Sequence, residues 1–213
     1  MASLIAAPLV AGCTGYGPPG HDGWRLFLGG DRPAATAEGL LSPDAVERRW
    51  SIILLARQGD PNAADALIVL LDKSNEPVSL VRATACVGLR ELGDKRAVQP
   101  LVSLFDPISR RYDPASLVRA DAAHSVGDLG GPDEIDPLAR ALMRDPDSTV
   151  RLEAAMAVGR IGGKNAVPVL VNSLNDMNES VAFAAHSGLI SITGQNLPPE
   201  PKQWQTWMEK KGK

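Results

Sequence analysis

Few residues of this 213-residue chain suit covalent or acid–base chemistry, and their spacing limits what they can do. Cys13 and Cys86, the two cysteines, are too few for a disulfide framework and too far apart for the short-spaced pairs of a zinc site. Cys86 follows Ala85 in an apolar stretch with nothing in the nearby sequence to lower a thiol pKa, so it reads as a small packing residue. His21-Asp22 has no further ligand near it, and His124 and His186 have no acid beside them. No catalytic residue, metal or cofactor is therefore expected.

The arginines are organised differently. Arg48, Arg82, Arg119 and Arg151 each take the second position of a recurring phrase, while Glu76, Asp113, Asp145 and Asp176 stand five residues before a phrase begins. Such a row could bind an anionic ligand, or it could form a structural ladder of ion pairs within or between repeats. The ladder is preferred, because paired charges are the only ones cheaply buried at packed interfaces.

The phrase that positions them is plainest at Val150-Arg151-Leu152-Glu153-Ala154-Ala155-Met156-Ala157-Val158-Gly159-Arg160-Ile161-Gly162. Clean copies begin at Val81 and Val118, weaker ones at Glu47 and Val181, giving spacings of 34, 37, 32 and 31 residues, the period of a helical solenoid. Apolar or small residues at i, i+4, i+8 and i+11 make one helical stripe, and Ala85, Ala122, Ala154 and Ala185 would let neighbouring helices approach closely. Partner helices are predicted over Ala63–Asp72, Ala97–Asp106, Ile135–Asp145 and Ala166–Asp176, with Pro100, Pro137 and Pro168 near their starts. Pro43, Pro77, Pro114 and Pro146 mark one set of boundaries. Gly59, Gly93, Gly130-Gly131 and Gly162-Gly163 mark the other, as left-handed closures.

The composition agrees with such a body. Hydrophobic residues make up 44% and mean hydropathy is −0.07, enough to bury a core without a membrane span. With 22 Lys and Arg against 25 Asp and Glu, the net charge of −3 offers no bulk attraction to nucleic acid or an anionic membrane. The expected organisation is a targeting-like segment over 1–13, a flexible tether with an apolar capping stretch, Trp24 to Leu28, over 14–42, a solenoid over 43–193 and a tryptophan-containing cap over 194–213.

Two places outside the strict repeat are candidate partner-binding residues. Arg110, Arg111 and Tyr112 lie where one repeat lengthens to 37 residues, and combine charge with an aromatic anchor. Trp204 and Trp207 share one face of a short helix entered after Pro198-Pro199-Glu200-Pro201; they are expected to fold back on the last phrase, with a partner site as the competing reading.

Together the recurring Val-Arg, central Ala and terminal Gly resemble the short HEAT repeats first recognised in phycobilisome lyases, over roughly residues 43 to 193. The resemblance implies an all-α, right-handed α-solenoid of about five HEAT-like helix pairs with a flexible N-terminal tether, serving as a protein-binding scaffold. A lyase-like or chaperone subunit assisting cofactor or chromophore attachment is the alternative. The paired His-Glu motifs of the di-iron hydroxylases built on this repeat do not occur here. Val10-Ala11-Gly12-Cys13 resembles the lipobox of bacterial lipoproteins, in which Cys13 would carry the lipid, although no Lys or Arg precedes it and the apolar run is short. A start upstream of Met1 would account for both departures. Ile192-Thr193-Gly194-Gln195 and the proline and tryptophan residues after it also resemble the close of exported HEAT-repeat lipoproteins. The implied location is the bacterial cell envelope, with the membrane reached only through Cys13, another protein as partner and no nucleic acid.

Overall fold

The computed structural model describes residues 37–60 and 62–211. Cys13, His21-Asp22, the Trp24 to Leu28 stretch and Lys213 lie outside them. Within the described residues the chain is all-α, as the repeat predicted. Five long helices, α1 (Ala45–Gln58), α3 (Ser79–Leu92), α5 (Ser116–Leu129), α7 (Ser148–Ile161) and α9 (Glu179–Thr193), alternate with four shorter ones. These are α2 (Ala63–Leu70), α4 (Val98–Phe105), α6 (Ile135–Arg144) and α8 (Ala166–Ser173); α10 (Pro201–Lys211) closes the chain.

Each long helix is one copy of the phrase, and each packs on the long helix before and after it, making one continuous layer. The short helices form a second layer, each packed chiefly on the long helix that follows it in sequence. The repeating unit is thus a short helix with the following long one, and α1 has no short helix of its own. Its flank is closed by a 3-10 helix, Ala37–Leu41, whose Leu40 is buried in the core. The tether expected over 14–42 therefore does not extend through residue 41, because Leu40 removes its side chain from water only by joining α1.

Local chemistry sets the helix ends. Asp44, Asp147 and Asn178 accept amide hydrogen bonds from the first turns of α1, α7 and α9, satisfying donors that have no intrahelical partner. Gly59 and Gly93 close α1 and α3 at φ 67° and 70°, and Gly194 does the same for α9. The expectation for Gly130-Gly131 is corrected: both have negative φ. There the Glu134 carboxylate accepts the Gly131 N–H at 2.7 Å, and Pro132 starts a 3-10 turn, so a side chain replaces the left-handed closure.

Ala85, Ala122, Ala154 and Ala185 are fully buried between the layers, where Leu101, Phe105, Leu138 and Leu170 of the short helices fill the space. The closest approach is made by glycines inside the phrase. A Cβ on Gly127 would lie 2.7 Å from the Ala157 Cα, and one on Gly159 would lie 3.3 Å from the Gly188 Cα, so α5, α7 and α9 meet backbone to backbone.

The C-terminal helix packs on α8, and through Trp204 it also reaches His186 of the last phrase, where the sequence placed it. Trp204 is fully buried, its Nε1–H donates to the Pro198 carbonyl at 2.8 Å, and its ring meets His186 of α9 edge-on at 6.2 Å. Trp207 is half-buried, 6.1 Å from Trp204, with the Lys211 ammonium 5.1 Å from its ring. A direct bond from His186 Nε2–H to the Leu197 carbonyl, 2.7 Å, ties the connecting loop to α9.

Because the neighbour at Gly127 is main chain, added volume cannot be relieved by a rotamer change. Gly127→Val should lower the unfolding free energy by about 1–3 kcal/mol, the usual range for overpacking, read from urea denaturation. An unchanged midpoint would mean that α5 and α7 are not in backbone contact.

Candidate functional site

The four phrase arginines have one geometry. In each, Nη1 donates to two carbonyls in the loop before its own helix: for Arg119, those of Asp113 at 2.9 Å and Pro114 at 3.1 Å. The remaining fork, Nε and Nη2, reaches the carboxylate of the next repeat in a bidentate pair: Arg48 to Glu76, Arg82 to Asp113, Arg119 to Asp145 and Arg151 to Asp176, all between 2.6 and 3.0 Å. Every carboxylate also accepts the amide two residues ahead, those of Val78, Ala115, Asp147 and Asn178, at 2.8–2.9 Å. Ala182 holds the place after the last arginine.

Charge and burial follow from this pattern. Arg82 with Asp113 and Arg119 with Asp145 are almost fully buried, whereas the Arg48 and Arg151 side chains at the ends keep 12% and 14% exposure. Burial alone would raise the Glu76 carboxyl, but the hydrogen bonds from Arg48 and the Val78 amide outweigh it and hold it below the usual range. The hydrogen bond from Arg151 likewise holds Asp176 low, and Arg119 and Arg151 are raised by their carboxylate partners.

The insertion trio is split by the structure. Tyr112 donates its O–H to Asp145 Oδ2 at 2.8 Å, and its ring lies 4.7 Å from the Arg119 guanidinium; burial, then the hydrogen bond to Asp145, pushes the phenol up to about 12. Tyr112 therefore belongs to the ladder. Arg111 pairs with Asp72 of the preceding repeat at 3.3 Å, and Arg110 is exposed.

On the opposite side of the long helices, away from the short ones, lies an open face. His124 Nδ1 is 2.8 Å from Glu153 Oε2 of the next repeat and its Nε2 is 3.7 Å from Asp128 one turn along, so the sequence reading that gave it no acid is corrected. Arg160 pairs with Asp128 at 2.9 Å. Glu153 comes from another repeat and could not be seen from sequence neighbours, whereas Asp128, at i+4 on the same helix, could have been. Leu80, Leu117, Met156 and Phe183 are exposed along the same layer, Phe183 to 72%. Between α7 and α9 the face deepens into a groove of about 700 Å³ lined by Leu152, Met156, Gly159, Arg160, Phe183 and Gly188. Its floor is low because the two glycines bring the helix backbones together. A second, smaller groove of about 500 Å³ borders the Arg151–Asp176 pair, lined also by Met143 and Met177.

Covalent and metal chemistry have little to work with among the described residues. Cys86 is fully buried, and desolvation pushes its thiol up, away from the reactive thiolate. No group of three or more His, Cys, Asp or Glu there could hold a metal ion. No helix of the described residues is long and apolar enough to cross a membrane.

Two layers of antiparallel helices joined by a repeated ion-pair rung define an α-solenoid. The family model for HEAT repeats matches residues 34–112 and 107–190, so the chain belongs to the HEAT-repeat family. Among solved structures it is similar to the complex of CpcE and CpcF of phycocyanin lyase from Nostoc sp. PCC7120, with 22% identity, a TM-score of 0.64, and coverage of 85% of this chain and 72% of that chain. Comparison with the curated proteins finds no match.

Removing one guanidinium would leave a buried carboxylate without its counter-charge. Arg119→Ala should cost about 3–5 kcal/mol of stability, and Arg151→Ala, at a more open pair, less. Glu76 and Asp176 have folded pKa values below their unfolded ones. Their contribution is therefore complete above the unfolded range, about pH 4, and is lost as pH falls through the lower folded values. Melting temperature should hold from neutrality to about pH 5 and drop below about pH 4, with Asp176→Asn flattening that acid limb.

Proposed function

We propose that this HEAT-repeat protein is a non-enzymatic scaffold that holds another protein against the open face of its long helices, tethered to the bacterial cell envelope by lipid on Cys13. The observation that carries the scaffold reading is the row Leu80, Leu117, Met156 and Phe183, apolar side chains left in water on a layer whose other side is fully packed. Large apolar side chains left exposed along one helix layer, two of them walling one groove, suit an interaction surface. Nucleic acid is not the partner: outside the ladder, α3 to α9 of this layer carry Glu91, Asp121, Asp128, Glu153 and Glu179 against Arg90 and Arg160.

The lipobox-like Val10-Ala11-Gly12-Cys13 and the Gly- and Pro-rich residues after it support the anchor. Two acyl chains or more would be needed, because a single chain binds only marginally. The likeness to a phycocyanin lyase complex favours a second reading, an accessory subunit that presents a chromophore- or cofactor-bearing protein for attachment. In this reading the group that takes the chromophore or cofactor would belong to the partner, which the burial of the Cys86 thiol supports.

A photo-crosslinking residue at Leu117 or Phe183 of the full-length protein in its own host should capture one defined protein, and the same residue at Val69 of α2 should not. Capture from Val69 alone would overturn the assignment of the face; a captured protein bearing a chromophore would select the second reading. In the same cells, Cys13→Ala should move the protein from the detergent to the aqueous phase, and native material retaining an unmodified Met1 would remove the anchor.

A further inference from the structure

The α7–α9 groove and the acidic helices beside it point to the chemistry of the occupant. We infer that the groove receives a segment of the partner protein that presents a large apolar side chain flanked by lysine or arginine. The inference rests on the scaffold reading above and deepens it.

Shape gives the apolar half. Gly159 and Gly188 have no side chains to fill the space between α7 and α9, and Ser187 and Ser191 add little volume, while Met156 and Phe183 stand as walls. Phe183 occupies the third phrase position, where the clean copies at 81 and 118 carry Ala83 and Ala120, both buried, and the copy at 150 carries Leu152, half-buried and itself in the groove lining. Phe183 is the most exposed residue at this position, 72% in water, and as a large ring it contributes little to the packing of the stack. It widens the contact available to an incoming side chain, as aromatic residues do at interface cores.

Charge gives the basic half. Ladder arginines contribute no free charge, since each is matched by a carboxylate. The rest of the layer from α3 to α9 has five carboxylates and two guanidiniums, and both guanidiniums already face Asp128, Arg160 of the groove lining at 2.9 Å and Arg90 at 3.7 Å. Glu179 lines the groove itself, in the first turn of α9. Asp121, on α5, takes part in no ion pair among the described residues, and desolvation holds its carboxyl above the ordinary range. A cation brought beside it by a partner would remove that penalty, so the site favours a basic neighbour and disfavours an acidic one. An anionic lipid surface is disfavoured on the same ground.

The test uses the full-length protein and three fluorescein-labelled synthetic peptides, read by fluorescence anisotropy. One is amphipathic, built of leucine, phenylalanine and lysine; the second carries glutamate for lysine; the third carries serine for the apolar residues. The lysine peptide should bind about tenfold or more tightly than either control, with an affinity that falls as salt rises. Phe183→Ser should weaken it about tenfold, and Glu179→Gln with Asp121→Asn several-fold with a shallower salt dependence. Phe183 is exposed, so Phe183→Ser should keep the parent circular-dichroism melt, which separates lost binding from lost folding. Equal binding of the glutamate peptide, or no effect of Phe183→Ser, overturns the inference. Binding to phosphatidylcholine–phosphatidylglycerol vesicles that is lost with Phe183→Ser also overturns it, and assigns the groove to a membrane. Failure of the peptides alongside capture from Leu117 would remove only the chemistry of this groove, leaving the scaffold reading in place.

Discussion

The stack depends on a guanidinium that is bonded on both of its edges. Nη1 of each ladder arginine holds the carbonyls of its own loop, and the other edge holds the carboxylate of the next loop, so one side chain fixes a turn and joins two repeats. Lysine could not do this, because its point charge lacks a planar fork with two faces of donors. The same carboxylate accepts the amide two residues ahead, just before the long helix starts, so it fixes that helix entry as well. Burying such a pair is tolerable only because nearly all of its donors and acceptors are used; a buried pair with unmet groups would favour the unfolded chain.

Layer spacing follows from what stands behind the ladder. The long helices carry Ala and Gly toward one another and come into backbone contact, while the short helices carry Leu, Val and Phe and touch each other little. The long helices are the more tightly packed of the two layers. Ladder and open face are thus products of one helix, facing different ways. Substitutions on the open face leave the rungs intact, and Phe183, at 72% exposure, is the member of the row least committed to packing.

What the sequence displayed was whatever recurs at one phrase position. Arg48, Arg82, Arg119 and Arg151 and their acids stood out by spacing alone, and the helices lie where the prolines and glycines put them to within a few residues. Contacts that occur once were hidden. Tyr112 looked like a surface anchor because its insertion broke the period, yet the added residues let it reach Asp145 of the following repeat. His124 appeared isolated because its acid, Glu153, is 29 residues away. Gly127 and Gly159 were read past because their place in the phrase is an ordinary helical one; only the neighbouring backbone shows why a side chain is excluded. The left-handed closure assigned to Gly130-Gly131 failed because Glu134 offered the backbone a different acceptor.

The last repeat departs from the others at several positions, and the departures share a cause. Ala182 stands where an arginine would need a following carboxylate, Met177 stands where four earlier loops have proline, and Phe183 is exposed where Ala83 and Ala120 are buried and Leu152 is half-buried. Among the described residues no repeat follows this one to supply a carboxylate, so an arginine at 182 would have no rung to make and the position is open to another residue. The apolar flank that the missing repeat would have covered is closed on the short-helix side by α10, through Trp204 on His186 and α8. On the long-helix side no such cover is present among the described residues, and that is where the α7–α9 groove opens. Closing one side with tryptophan while keeping the other side apolar and accessible separates the stability of the stack's end from its use as a docking surface.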